Sequence, residues 1–432
     1  MTATAGSGDR PPGLRVVLDA RPIQDPGRAP ATARYLEGLL GAFSEEPLGG
    51  ESFAFLLQSD LADPTLAFTG LDVVGRRLLP PTRLLRSGAL TVDPFLLRGA
   101  AVGAAWRSDR AGAAGAVYHA VAGSPPILSR IPIVVTLLDL APWELPDTFQ
   151  RTPAARFGQR LRARLVRDAA AVLVGTEAVA VLARRLLRLR PNRVRVVPLA
   201  PHPAFVHAGP GGSADAALAD SAAAEAALAD DRTRLGLPER FLVYFGRFDA
   251  RHDPATLLRA LAALEGRARP RGLPARIPWP PRVLIVGASP EDRAALARAA
   301  NRLGGGDALL YAPAMPPERL ASLVRSARAV VIPALSDAAG LAALDALAAG
   351  VPVVATSVGA LPEVVASAGI LVEPRDPARL AEALRTAWAD ERVHGRLVEA
   401  ATARAASPRS WSEVAWDTRR VYADVGVREG SS

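Results

Sequence analysis

The fold is decided by residues 328–363, which read RAVVIPALSDAAGLAALDALAAGVPVVATSVGALPE. The apolar run Ala329–Ile332 is short and rich in β-branched residues, and it predicts a buried parallel strand. Leucine and alanine then recur at helical spacing over residues 341–348, and Gly350 ends that helix. Residues 353–355 predict the next strand. The stretch is therefore a strand, a turn, a helix and a second strand, which is the repeating unit of a parallel α/β sheet.

Two acidic residues occupy defined places in this unit. Asp337 lies on the turn that follows the first strand, and Asp345 lies about two turns further along, within the helix. Gly340 sits in the same turn, where it allows a close approach of backbone to a ligand. Open α/β sheets bind ligands at the carboxyl ends of their strands, and a helix N-terminus there attracts phosphate.

The stretch resembles the donor-site segment of retaining glycosyltransferases of the family-4 type. Members of that family have the GT-B fold, two Rossmann-like domains with a cleft between them, and bind a nucleotide-sugar donor. Their two acidic positions are normally glutamates with seven residues between them, and a Phe-Gly pair follows shortly after the first. Here the acidic positions are Asp337 and Asp345, and Ala339 takes the place of the phenylalanine before Gly340.

The resemblance assigns roles to these residues. It implies that Asp337 meets the sugar hydroxyls as part of the catalytic site, and that Asp345 meets the ribose of the nucleotide. Gly340 and the next loop, which contains Gly359 and Glu363, are expected to contact the donor. For Asp345, a helix aspartate that faces solvent is an equally simple interpretation.

Composition narrows the class of protein. Half of the 432 residues are apolar and 22% are charged, which is typical of a globular chain with two domains of ordinary size. The absence of cysteine excludes disulfides and thiolate metal sites, and the five histidines lack metal-ligand spacing. We therefore expect no metal and no cofactor other than the nucleotide-sugar substrate.

All 52 basic residues are arginine, and the formal net charge is +9. This charge fits an anionic partner such as a membrane surface or a nucleotide, or else a GC-rich genome that enriches arginine on a solvated surface. No apolar stretch is long enough to span a bilayer, and residues 1–12 do not resemble a signal peptide. We expect a cytoplasmic protein and leave peripheral contact with a membrane open. No aromatic-basic motif favours nucleic acid.

The order of elements predicts an α/β protein with two Rossmann-like domains. Strands are expected near residues 14–18, 53–57, 116–118, 133–136, 171–174 and 194–197, and again near 241–245, 283–286, 308–311, 329–332 and 353–355. We assign residues 1–13 to a disordered N-terminus, 14–205 to an acceptor-side domain, 206–237 to a low-complexity linker or insertion, 238–408 to a nucleotide-sugar-binding domain, and 409–432 to a C-terminal helix that crosses back to the first domain.

In the first domain the resemblance points to three substrate-binding positions. Arg34 lies in a helix expected from about residue 32 to 43, where the family has a Gly-rich entry and this chain has alanines. His119 ends a strand, as a histidine does in the family. Asp139 follows Leu138, which occupies the usual position of a histidine near the scissile bond. Asp139 is also well explained as a strand-end or capping residue.

In the second domain the segment 246–252, GRFDARH, follows the first strand. The family carries Gly-Arg-x-x-x-x-Lys there and uses the positive charge to stabilise the leaving diphosphate. Arg247 matches this pattern, His252 takes the lysine position, and Arg251 is available as a substitute. We assign catalytic roles to Arg247 and His252 and substrate binding to Arg251. A surface ion pair is the alternative for Arg247. We expect Arg247, His252 and Asp345 to converge in the cleft.

A helix expected from Thr152 to Asp168 carries five arginines and an apolar residue every four positions at Phe157, Leu161 and Leu165. A basic amphipathic helix can lie on anionic lipid, but more often it is a surface helix whose arginines are in water. Both interpretations stay open at this point.

These features favour a glycosyltransferase-like protein that transfers a sugar with retention to an unknown acceptor, with weak or altered activity. The alternative is a catalytically inactive homologue that acts as a partner or regulatory subunit in glycan or glycolipid assembly.

Overall fold

The computed structural model describes residues 13–81, 91–98, 115–121, 125–206 and 226–426. It forms two compact units, one made of Met1–Leu199 with Arg409–Ser432 and the other of Ala200–Pro408. The N-terminus expected to be disordered and most of the expected linker lie outside the described residues. The final part of that linker, residues 226–234, is helical.

The first unit contains a sheet of seven parallel strands in the order β3-β2-β1-β4-β5-β6-β7. The strands are β1 Arg15–Asp19, β2 Ser52–Gln58, β3 Val73–Leu79, β4 Ala116–Ala120, β5 Ile133–Thr136, β6 Ala171–Val174 and β7 Val194–Val196. The central strands β1 and β4 are fully buried, which explains why apolar residues fill most of their positions. The edge strand β3 was not expected, because Arg76 and Arg77 interrupt its apolar run.

In the described part of this unit, the helices with defined ends are Arg21–Gln24, Pro30–Glu45, Ala141–Glu144, Pro146–Phe149, Pro153–Asp168, Glu177–Leu187 and Trp411–Gly426, while residues 91–98 are also helical. The second of these begins at Pro30, two residues earlier than expected, because proline suits the first turn of a helix and the alanines that follow favour helix.

The C-terminal helix Trp411–Gly426 packs within the first unit against the helix Pro30–Glu45. A Cβ at Gly38 would lie 2.3 Å from the Trp411 ring, so only glycine allows this approach. The Arg419 guanidinium forms a buried ion pair with Glu51, with Nε 3.0 Å from Oε1. It also lies 4.6 Å from the centre of the Phe43 ring.

The second unit contains six parallel strands in the order β10-β9-β8-β11-β12-β13. The strands are β8 Leu242–Phe245, β9 Val283–Val286, β10 Leu309–Ala312, β11 Ala329–Ile332, β12 Val353–Thr356 and β13 Gly369–Val372, and the helices are Pro254–Glu265, Pro290–Leu303, Pro317–Arg325, Leu341–Ala348, Leu361–Val365, Pro377–Ala389 and Glu391–Ala405. Strand β13 and the helix Glu391–Ala405 were not expected. The core of the unit includes Trp388, whose indole N–H donates to the Pro278 carbonyl at 3.1 Å.

Both sheets reverse their strand order at one point, between β1 and β4 in the first and between β8 and β11 in the second. At such a switch point the chain leaves the two central strands in opposite directions, and a crevice opens at their carboxyl ends. The loops that follow these strands are therefore the first places to look for a site in each unit.

Candidate functional site

The loop after β8 gathers three of the predicted cationic side chains around one carboxylate. Asp249 Oδ1 lies 2.8 Å from His252 Nδ1, and Asp249 Oδ2 lies 3.0 Å from Arg251 Nε and 3.4 Å from Arg247 Nε. Gly246 begins the loop with a φ of 132°, which favours glycine. The sequence did not lead us to assign a role to Asp249. Its position between Arg247 and Arg251 was the signal that could have predicted these ion pairs.

Asp249 offsets part of the positive charge in this loop. Burial raises the pKa of Asp249, but the hydrogen bond from His252 and the charges of Arg251 and Arg247 lower it more, to about 2. Asp249 is therefore ionised at neutral pH and offsets one guanidinium. The side chains are 21–38% exposed, so an anion in solution can reach the two arginines. The surface ion pair considered for Arg247 is present, with Asp249 as its partner.

The loop after β11 shapes a helix N-terminus beside this cluster. Asp337 Oδ1 accepts hydrogen bonds from the backbone N–H groups of Ala339 at 3.1 Å and of Gly340 at 2.7 Å. Gly340 has a φ of 65° and directly precedes the helix Leu341–Ala348. Asp337 thus stabilises the turn before the helix, as its position in the sequence suggests. Its contact with a sugar stays a prediction.

Backbone contacts join the loops after β8, β11 and β12. The Leu335 N–H donates to the Arg251 carbonyl at 2.6 Å, and the Ala360 N–H donates to the Asp337 carbonyl at 2.7 Å. A Cβ at Gly359 would lie 2.0 Å from that same carbonyl oxygen, so the position requires glycine. The structure therefore brings the predicted glycines and Asp337 together with the cationic loop at the switch point. Glu363 lies nearby in sequence, on the exposed side of the helix Leu361–Val365.

Asp345 is tied to a different segment. Asp345 is only 2% exposed, and its Oδ1 accepts a hydrogen bond from the backbone N–H of His202 at 2.8 Å. Phe205, from the same segment, stacks on Phe245 at the end of β8 with ring centres 6.2 Å apart. The solvent-facing interpretation of Asp345 is therefore wrong. Its contact with a ribose stays a prediction, as does its convergence with Arg247 in a cleft.

His119 is a core residue, and the expected substrate contact is corrected by the structure. The residue has no exposed surface. Its Nε2 lies 2.7 Å from Thr136 Oγ1, and its Nδ1 lies 2.7 Å from the hydroxyl of Tyr422. Burial lowers the pKa of the imidazole to about 3. Both ring nitrogens are occupied, so the ring joins β4 and β5 to the C-terminal helix and offers no atom to a ligand.

Asp139 caps a helix, in agreement with the simpler of its two interpretations. Its Oδ1 accepts the Ala141 N–H at 2.9 Å, where the helix Ala141–Glu144 begins. Burial lowers the pKa of Arg162, and the nearby charge of Asp139 partly offsets this. Arg162 is buried, with its guanidinium 4.9 Å from the centre of the Trp143 ring. Arg162 belongs to the helix Pro153–Asp168. The interpretation that the arginines of that helix are all in water is therefore wrong for Arg162.

Arg34 lies partly buried in the helix Pro30–Glu45. Burial raises the pKa of Glu37 on the next turn, and the charge of Arg34 partly offsets this. The substrate contact of Arg34 stays a prediction.

The switch point of the first unit carries a buried ion cluster that the sequence did not reveal. The Arg21 guanidinium lies 2.8 Å from Asp19 Oδ1 and 3.0 Å from Asp93 Oδ1. Burial raises the pKa of the Tyr118 hydroxyl, and the nearby negative charges of Asp19 and Asp93 raise it further. The side chains of this cluster hold the loop after β1 to the helical residues 91–98.

Within the described residues, no helix combines the length and apolar character needed to cross a bilayer. In the same part of the chain, no group of three or more histidine, aspartate or glutamate side chains is arranged to hold a metal ion.

The fold of the two units is the GT-B fold of glycosyltransferases. Sucrose-phosphate synthase from Thermosynechococcus elongatus superposes with a TM-score of 0.66 at 19% identity, over 95% of this chain and 98% of that one. Anabaena HepE, solved in complex with UDP, superposes with a TM-score of 0.62 at 17% identity, over 95% of this chain and all of that one. At these identities the likeness establishes the fold alone.

The second unit carries a more specific similarity. Residues 229–404 match the family described as Glycosyl transferases group 1, and this range includes every candidate site residue of the second unit. The chain is 38% identical over 202 residues to the D-inositol 3-phosphate glycosyltransferase of Streptomyces avermitilis, a match that covers 44% of this chain and 41% of that protein. The chain thus spans less than half the length of the curated relatives it matches. The second unit is therefore similar, over residues 229–404, to the family described as Glycosyl transferases group 1.

Proposed function

We propose that this protein transfers a sugar, with retention of configuration, from a nucleotide-sugar donor to an acceptor, and that it is of the family-4 type. The observation that carries the proposal is the cationic loop after β8. It places Arg247, Arg251 and His252 at the switch point of the second unit, beside the N-terminus of the helix Leu341–Ala348. Two guanidiniums and a helix N-terminus are the groups that bind a diphosphate.

The reaction needs stabilisation of the negative charge that develops on the leaving nucleoside diphosphate. Arg247 and Arg251 supply positive charge, and His252 supplies a hydrogen bond or, when protonated, a third charge. In the transfer that we propose, the phosphate of the donor accepts the proton of the acceptor, so no protein nucleophile is required. Asp249 holds the two arginines and the imidazole in one place before the donor arrives.

The names of the similar proteins support the donor class. HepE is solved with UDP, and the relatives matched by sequence are named as glycosyltransferases. We propose a nucleoside diphosphate sugar as the donor, bound in the second unit by Asp337, Gly340, Asp345, Gly359 and Glu363 together with the cationic loop. The acceptor is left unassigned, because the sequence match covers less than half of the chain.

Calorimetry against UDP, GDP, ADP and their glucose or mannose conjugates tests the proposal. We expect one nucleotide to bind, and we expect Arg247→Ala and Arg251→Ala each to weaken it by roughly 10- to 100-fold, the usual value of a hydrogen bond to a charged group. Arg259→Ala is the matched control, because Arg259 is an exposed arginine on the helix that follows the loop. No binding by any nucleotide at saturating concentration would end the proposal. Binding without turnover on any acceptor would favour the inactive homologue instead.

A further inference from the structure

The positive charge of the chain is concentrated in one segment of the first unit. Residues 151–195 contain twelve arginines and two acidic residues, a formal charge of +10, whereas the whole chain carries +9. The remainder of the chain is therefore almost neutral. An arginine enrichment that came only from genome composition would be spread along the sequence, so a local excess of this size points to an anionic partner.

The helix Pro153–Asp168 exposes an apolar residue and arginines on the same face. Its buried residues include Ala155, Gly158, Ala163 and Val166. On the opposite face Phe157 is 57% exposed, and Arg160 and Arg164 follow it by three and seven residues, on the same side of the helix. In the described part of the chain these two arginines lie within 4.0 Å of no carboxylate.

The neighbouring helix Glu177–Leu187 also has an apolar residue and arginines at its surface. Val181 is 61% exposed and Arg185 is exposed, while Arg184 is half-buried, with its Nε donating to the Ala180 carbonyl at 3.0 Å. Arg188 is exposed directly after the helix. The two helices contact each other. We name the surface residues of both helices the basic apolar face and define it by Phe157, Arg160, Arg164, Val181, Arg184, Arg185 and Arg188.

We propose that the basic apolar face binds the surface of an anionic phospholipid bilayer. Arginines alone would suit any polyanion, but exposed apolar side chains between them fit the boundary between lipid headgroups and acyl chains. The arginines would contact lipid phosphates while Phe157 and Val181 enter the boundary. This surface lies on helices that hold none of the residues proposed to bind the sugar donor, and the inference is independent of that proposal.

Sedimentation of the full chain with phosphatidylcholine vesicles, with and without phosphatidylglycerol, tests the inference. We expect binding only when phosphatidylglycerol is present, and we expect it to weaken as salt screens the charges. The double variant Arg160→Gln/Arg164→Gln should bind roughly 25-fold more weakly, at roughly fivefold for each arginine. Phe157→Ser should weaken binding roughly tenfold, because it removes the largest apolar group of the face.

The helix Pro290–Leu303 offers a matched control. It exposes Leu303 at 44%, with Arg298 and Arg302 also exposed, but lies outside the basic segment. The variants Arg298→Gln/Arg302→Gln and Leu303→Ser should bind vesicles as the unchanged protein does. Equal losses in both sets of variants would overturn the inference. So would binding to duplex DNA that matches vesicle binding and is unaffected by Phe157→Ser, because the face would then recognise charge alone.

Discussion

His119 makes the first unit sensitive to mild acid. Its ring is fully buried between Thr136 and Tyr422, and burial lowers its pKa to about 3. In the unfolded chain a histidine titrates near its ordinary pKa of about 6.5. Because the folded pKa is the lower of the two, the stabilisation is fully present above pH 6.5 and is lost as the pH falls from there toward 3.

The size of the effect follows from the two pKa values. Between them, each pH unit removes about 1.4 kcal/mol of folding free energy. From pH 7 to pH 5 the loss from His119 amounts to about 2 kcal/mol. The carboxylates with lowered pKa, such as Asp249 with a pKa of about 2, remain ionised throughout this range and add nothing to it.

Hydrogen exchange of the amides in β4 and β5 measures this loss within the first unit. The variant His119→Gln keeps polar atoms at the position but cannot titrate between pH 7 and pH 5. We expect the opening free energy of β4 to fall with acid in the unchanged protein and to be nearly constant in the variant. His394→Gln is the control, because His394 also has a pKa lowered by burial but lies in the second unit. Equal pH dependence of β4 in the unchanged protein and in His119→Gln would refute the reasoning.

Three further predictions concern packing. Arg419→Ala should lower the free energy of unfolding of the first unit by roughly 3–5 kcal/mol in urea titrations, because it leaves the buried carboxylate of Glu51 without its partner. Arg419→Met/Glu51→Leu should recover most of that loss, and a double variant as unstable as the single one would contradict this explanation. Gly359→Ala should weaken nucleotide binding and lower the melting temperature, because its Cβ would clash with the Asp337 carbonyl. Gly395→Ala, at an open helical position, should stabilise the protein by roughly 0.5–1 kcal/mol.

The fold was predictable because most strands lie in the interior of parallel sheets. Buried strands such as Ile133–Thr136 and Ala329–Ile332 were located to the residue, since burial on both faces requires an unbroken apolar run. The edge strands β3 and β13 were missed because they lack such an apolar run. Their side chains are largely exposed or half-buried, so nothing in their sequence demands continuous apolar character.

The site was less predictable than the fold, because spacing along a chain does not say what a side chain faces. Sequence patterns placed Arg247, Arg251 and His252 in one loop, yet the carboxylate that gathers them, Asp249, had no assigned role. The pattern also treated His119 as a strand-end residue that binds the substrate. Its partner Tyr422 lies 303 residues later, and no local signal could show that the C-terminal helix covers the ring.

The central claim is that the switch point of the second unit holds the nucleoside diphosphate. Hydrogen exchange of the full chain, with and without saturating UDP, tests it most directly. We predict protection in the loop 246–253 and in the turn 335–341, and little change in the first unit. Binding of UDP that leaves both segments unprotected, or that protects only the first unit, would contradict the claim.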